Sequence, residues 1–191
     1  MNEKIACRTK LRLIQGGLHS KISFGPVRII AAPENIPPFE LNARAYEEDT
    51  WLVMSADPKG CEPEVHPIRL MTELMETKPE PVGSVIVKGG NPLRFLAIVH
   101  DVNRDPTWKE EWIQSALEGV FREVEQRKIR AIGLPLLGTL HGRLETRRFL
   151  ALLGRVLKQK TFNHLKRLWL IVPAKTNSEI IEMLEAELNQ S

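Results

Sequence analysis

The second half of the chain carries the clearer hydrophobic pattern. Phe95-Leu96-Ala97-Ile98-Val99 is a continuous apolar run, too short for a helix and suited to a strand buried on both faces. Ala131 to Leu137 and Leu168 to Val172 repeat the pattern. Between the first two runs Trp112, Ile113, Ala116, Leu117, Val120, Phe121 and Val124 fall at helical spacing, an apolar stripe made to face a sheet. Thr107 and Glu110 stand three apart at its start, as a capping box requires. After Leu137 a second helix sets Phe149, Leu152, Leu153 and Val156 on one side, with Leu150 and Leu157 adjoining it. A last helix, capped by Thr176 with Glu179, is expected to bury Ile180, Ile181, Leu184 and Leu188. This alternation predicts an α/β fold with parallel strands joined by helical crossovers.

The first half is less regular. Lys10 to Ile14, Val27 to Ala31, Trp51 to Ser55 and Ser84 to Lys88 are predicted strands, most of them bounded by Gly or Pro. A short helix is predicted from Pro67, turning Leu70, Met71, Leu74 and Met75 inward. Ala32 to Asp49, with Pro33, Pro37 and Pro38, reads as a long loop or edge insertion. No internal repeat or low-complexity linker divides the chain, so residues 1–191 are expected to form one domain with an irregular insertion at about 32–49.

Composition narrows the function classes. At 191 residues, 42% hydrophobic and 27% charged, the chain can bury a core without staples and is not a disordered segment. No apolar run reaches the ~20 residues that span a bilayer, and Met1-Asn2-Glu3-Lys4 does not lead into a signal-peptide core. A cytoplasmic location with no membrane partner is the expectation. Cys7 and Cys61 lie far apart without a C-x-x-C partner and read as free thiols. Five histidines without i, i+4 pairing or an acidic cluster give no argument for a metal, and no cofactor is expected. A net charge of +3 does not imply nucleic acid. From Arg143 to Arg167 eight Lys/Arg residues accompany one acid, Glu145, which reads first as a solvated helix face and second as a nucleic-acid footprint.

In a largely parallel sheet, ligands collect beyond the carboxyl ends of the strands. The segment that fits best is Gly138-Thr139-Leu140-His141-Gly142, between an apolar run and a helix. Glycines there let the backbone approach a ligand, and successive N–H groups with the helix dipole favour a phosphate. It is neither a Walker loop nor G-x-G-x-x-G, and a plain tight connection is the competing reading.

A resemblance rests on Pro81-Val82-Gly83-Ser84-Val85-Ile86-Val87, then Gly89-Gly90, then Ala97-Ile98-Val99-His100-Asp101-Val102, and finally Ile132-Gly133-Leu134-Pro135-Leu136-Leu137-Gly138-Thr139. In that order, over roughly Pro81 to Pro173, the chain resembles the macro-domain family. The resemblance implies a three-layer α/β/α sandwich around a mixed, largely parallel sheet, with a cleft that in relatives holds ADP-ribose or a related nucleotide. It also implies ligand contacts from Gly138, Thr139, Leu140 and Gly142, whose loop in relatives wraps the diphosphate and distal ribose, and from Ala56. Leu140 and His141 depart from the family's further glycine and its aliphatic and aromatic residues. The family's Gly-Asp, whose aspartate grips the adenine, would fall at Gln15-Gly16-Gly17, which lacks the carboxylate. Its asparagine-bearing strand end and glycine-rich loop would fall near Met54-Ser55-Ala56-Asp57 and Lys59-Gly60-Cys61, which carry neither feature.

Asp57 and His141 are the candidate catalytic residues. Asp57 would orient a ribose or a water, and otherwise caps a turn with Pro58. His100 and Asp101 end one predicted strand and His141 follows another, an arrangement that suits an acid/base set; the competing reading for His100 is a satisfied core histidine. Cys61 has no base placed beside it by the sequence, and His66-Pro67 more simply starts a helix. Trp108 and Trp112 are candidates to stack on a base, with Trp112 otherwise in the core. The expected function is binding of a nucleotide such as ADP-ribose. The alternatives are an interaction module that kept the fold, and a hydrolase of an ADP-ribosyl or phosphate bond using Asp57 or His141.

Overall fold

The structure is a computed structural model that describes residues 21–54 and 78–189. Seven strands form one sheet: β1 (Lys21–Phe24), β2 (Val27–Ala32), β3 (Ala43–Asp49), β4 (Val85–Lys88), β5 (Leu93–His100), β6 (Ala131–Pro135) and β7 (Arg167–Ile171). Their order is β1-β2-β7-β6-β3-β5-β4. The pairs from β2 through β5 are parallel, and only the edge strands β1 and β4 are antiparallel to their neighbours. Of the three described helices, α1 (Glu110–Gln126) crosses from β5 to β6, α2 (Thr146–Gln159) crosses from β6 to β7, and α3 (Asn177–Asn189) follows β7. The mixed, largely parallel sheet with helices is the α/β architecture that the apolar runs predict.

The apolar stripes of all three helices pack on one face of the sheet. Val27 and Ile29, Leu168 and Leu170, Ile132 and Leu134, Ala43 and Ala45, and Phe95 and Ala97 share a core cluster with Ile113, Leu117 and Phe121 of α1, Phe149 and Leu153 of α2, and Ile180 and Leu184 of α3. Each fully buried large side chain contributes about 1.5–3 kcal/mol, so this layer holds the site's scaffold rigid. On the other face Leu96, Ile98 and Trp169 are buried as well, which is why β5 and β7 read as continuous apolar runs rather than alternating ones. The Trp169 indole N–H donates to the Ala32 carbonyl at 2.9 Å and ties the ends of β2 and β7 together.

Several expectations are corrected. The segment 32–49, read as a loop or insertion, contains β3, a central strand between β6 and β5. Its two core-facing positions before the acidic end are alanines, and Arg44 and Tyr46 alternate with them, so no apolar run marks it. Conversely, Trp51 to Met54 is not a strand. The Asp49 carboxylate accepts N–H bonds from Trp51 (2.7 Å), Val53 (3.1 Å) and Met54 (3.0 Å) and curls this stretch into a turn, with Leu52 at φ 60°. The apolar run Ala131 to Leu137 is strand only to Pro135, after which Leu136 and Leu137 stay buried at the start of the next loop.

The capping box is also overturned. Helix α1 starts at Glu110 with Lys109 as N-cap and no side-chain cap bond, and Thr107 lies in the preceding loop, its carbonyl accepting the Asp101 N–H at 2.7 Å. At α3 the Thr176 hydroxyl donates to the Pro173 carbonyl at 2.8 Å, and Leu188 is half-buried where burial was expected. The strand predicted at Lys10 to Ile14 and the helix from Pro67 lie outside the described residues.

Candidate functional site

The strand order reverses direction between β6 and β3: the chain leaves β6 for β7 on one side, while β3 has β5 on the other. These two strands pair only at Ala43 with Ile132 and Arg44 with Gly133, then part toward their carboxyl ends. Such a switch point opens a crevice. A cleft of about 1020 Å³ lies there, bounded by Pro33 to Asn35 after β2, Tyr46 and Glu47 of β3, Thr139 to His141 after β6, Glu145 and Thr146 at the start of α2, and Val172 to Ala174 after β7.

The loop after β6 is held in one shape by its own bonds and packing. Gly138 takes φ +78°, a conformation that L side chains rarely adopt, and a Cβ there would overlap Ile113 Cδ1. The loop is pinned by the Thr139 N–H and hydroxyl, which donate to the Leu136 carbonyl at 3.1 and 2.7 Å, and by the Leu144 N–H, which donates to the Gly138 carbonyl at 2.9 Å. Among the described residues the N–H groups of Leu140, His141 and Gly142 have no acceptor. Leu140, on the cleft wall, is 79% exposed. Helix α2 begins beside them with Glu145 as N-cap and no side-chain cap bond, so its amino-terminal dipole also borders the cleft.

The base of the cleft holds a carboxylate that the pattern reading missed. Glu47 is paired by one oxygen with His100 Nε2, and its other oxygen accepts the Gly138 N–H at 2.9 Å. The His100 ring is 4% exposed and Glu47 10% exposed. A bulge places His100 there: the register passes from Glu48 opposite Ile98 to Asp49 opposite His100, skipping Val99, so His100 turns to the side of the sheet that Glu47 shares with Ala97. His141 meets the His100 ring edge-on, centroids 6.3 Å apart. His100 is thus a buried histidine satisfied by Glu47, as the core reading has it, and His141 packs against its ring from the cleft side.

Asp101 does not join the set. Its carboxylate accepts the Asn103 N–H at 3.1 Å and pairs with Arg104 at 2.9 Å, in a loop on a separate, smaller cavity. Trp108 sits under Gly142, where an added Cβ would approach its Cγ to 2.8 Å. Trp112 is half-buried rather than core, its ring covered by Lys109 and Arg104 at 5.5 and 5.8 Å. Neither lines the cleft. Met54 does, whereas Ala56, Asp57, Cys61 and His66 lie outside the described residues. A second carboxylate, Glu34, borders the cleft just after β2 and pairs with Arg44. Among the described residues no group of three His, Cys, Asp or Glu side chains is arranged to hold a metal, and no helix is long and apolar enough to cross a membrane. On the basic face of α2, Arg148 donates two hydrogen bonds to the Glu110 carboxylate, at 3.0 and 2.7 Å, and Arg155 donates one to the Gln114 side-chain oxygen at 3.2 Å, so part of that charge ties α2 to α1.

Comparison with solved structures identifies the architecture: the chain has the macrodomain fold. An Oceanobacillus iheyensis macrodomain with ADP superposes with a TM-score of 0.64 at 15% identity, covering 88% of this chain and 95% of that one. A variant of the same macrodomain with ADPR gives 0.65 at 14% identity, over 88% and 97%. The macrodomain of Thermus aquaticus DarG gives 0.54 at 16% identity, over 76% and 98%. No protein-family model and no curated protein matches the sequence.

Proposed function

We propose that the cleft binds ADP-ribose or a related nucleotide metabolite, with its phosphates at the N–H groups of Leu140, His141 and Gly142 in the loop Gly138 to Gly142, the N–H groups of Gly138 and Thr139 being taken by Glu47 and the Leu136 carbonyl. The observation that carries this reading is the coincidence, on one cleft at the switch point, of a loop whose N–H groups at Leu140, His141 and Gly142 have no acceptor among the described residues with a helix end that has no side-chain cap. The fold shared with macrodomains solved with ADP and ADPR supports it. In that family the aspartate that grips the adenine follows an early strand. Here Pro33-Glu34 follows β2 and Glu34 borders the cleft, so Glu34 is assigned the role for which Gln15-Gly16-Gly17 offered no carboxylate. Thr139 and Leu140 line the walls, and Ala56 and Asp57 are proposed to contribute from the stretch beyond Met54.

The test is calorimetric titration with ADP-ribose, using AMP and ribose 5-phosphate as controls. Micromolar affinity, about 8 kcal/mol, is expected, reduced in Glu34→Ala. No detectable heat with any of the three would refute nucleotide binding and favour an interaction module that has kept the fold.

One observation favours a second reading, hydrolysis. His141 lines the cleft with its ring edge-on to the buried His100–Glu47 pair, and an imidazole on a cleft wall is suited to carry a proton. Under this reading His141 delivers or accepts the proton at an ADP-ribosyl or phosphate bond. Turnover of ADP-ribosylated peptide or of ADP-ribose 1″-phosphate, lost in His141→Ala with binding retained, would establish it.

A further inference from the structure

We infer that Glu47 is a specificity-determining residue of the cleft: its carboxylate holds the Gly138 N–H, keeps phosphate away from the base of the loop, and leaves that position to an uncharged, hydroxyl-bearing group. The inference rests on the reading of the cleft as a phosphate-carrying ligand site. In a glycine loop between a strand and a helix, the N–H of the first glycine is a natural phosphate donor. Here that donor is already used, at 2.9 Å, by a side-chain anion of the protein itself.

The carboxylate is fixed from both sides. One oxygen is on the buried His100 ring and the other on Gly138, and the side chain is 10% exposed, so it cannot swing into solvent without breaking both bonds. A phosphate brought to the same N–H would sit within a few ångströms of this carboxylate, and repulsion at roughly 5 Å in a partly buried site lowers affinity by more than about tenfold. Each carboxylate oxygen keeps a further lone pair, so a ribose hydroxyl, a donor without charge, fits where a phosphate does not. The phosphate-binding part of the loop then begins at Leu140, whose N–H, like those of His141 and Gly142, has no acceptor among the described residues.

The test uses the full-length protein labelled with ¹⁵N, wild type and Glu47→Gln, titrated with inorganic pyrophosphate and, separately, with uncharged adenosine. In the wild type, pyrophosphate is expected to shift the amide signals of Leu140, His141 and Gly142 and leave Gly138 unmoved. In Glu47→Gln, which keeps an acceptor for Gly138 without the charge, the Gly138 signal should join them and the pyrophosphate Kd should fall at least about tenfold, with no such gain for adenosine. A wild-type Gly138 signal that moves with its neighbours, no binding of pyrophosphate to either protein, a folded Glu47→Gln that binds pyrophosphate no tighter, or an equal gain for adenosine would each overturn the inference. Should Glu47→Gln not fold, the wild-type pattern alone decides. If pyrophosphate behaves as expected while ADP-ribose fails to bind either protein, the role of Glu47 stands and the nucleotide assignment falls.

Discussion

Replacing Gly138 by alanine tests whether the loop's shape is imposed by its packing. Two separable penalties are expected. The backbone at φ +78° disfavours any L residue, by about 1–2 kcal/mol. The new Cβ also overlaps Ile113 Cδ1, the end of a fully buried side chain on α1, and overpacking of this kind costs about 1–3 kcal/mol. The sum is roughly 2–5 kcal/mol, which for a chain of this length lowers Tm by roughly 10 °C. Ile113→Val removes Cδ1 itself and by itself costs about 0.5–1.5 kcal/mol. If the clash is real, the double variant regains the steric part, and Gly138→Ala in the Ile113→Val background costs only the 1–2 kcal/mol of its backbone. Urea denaturation of the four proteins, with m-values compared, measures this coupling. Additive losses within about 0.5 kcal/mol would refute the contact between α1 and the glycine loop.

Two more predictions follow from the same geometry. Glu125, at the end of α1, accepts N–H bonds from Asn163, His164 and Leu165 at 2.9–3.2 Å. Burial pushes its carboxyl up, but the N–H groups of Leu165, Asn163 and His164 outweigh this and hold it below its ordinary value of 4.5. Because the folded-state value is the lower one, the stabilisation is complete above pH 4.5 and is lost as pH falls through the lowered value. Glu125→Ala should therefore cost about 2 kcal/mol at pH 7, and urea melts should show the gap to wild type narrowing toward pH 3; a gap unchanged with pH would refute the role of the charge. Gly142→Ala should weaken ADP-ribose binding while leaving the fold intact, because its Cβ would meet the Gly138 carbonyl at 2.7 Å and Trp108 Cγ at 2.8 Å and must displace the loop. Unchanged affinity by calorimetry would place the phosphates elsewhere.

Where the sequence misled, the cause is specific. Strand β3 looked like a loop because a strand needs no apolar run when its core-facing residues are Ala43 and Ala45 under large neighbours such as Phe95 and Phe121. The alternation of Ala43 and Ala45 with Arg44 and Tyr46 was the available signal, and it was masked by the prolines before it and the acids after it. The same misreading hid Glu47. A carboxylate in a presumed surface loop carries no message, whereas at the end of a central strand, 91 residues away from Gly138 in sequence, it becomes the partner of the glycine loop. Trp51 to Met54 has strand composition but lies within reach of the Asp49 carboxylate, and three N–H bonds to one side chain outweigh β propensity over four residues.

Local pattern alone determined the strands β2, β4, β5, β6 and β7, the three helices with most of their buried faces apart from Trp112 and Leu188, and the glycine loop between β6 and α2, since periodicity and apolar runs record which side of each element leaves water. Only the tertiary structure decided where β3 lies, that it parts from β6 to open the cleft, and that Glu47, His100, His141 and Gly138 meet there. These are contacts between strands distant in sequence, set by a register and a bulge that leave no periodic trace in the chain.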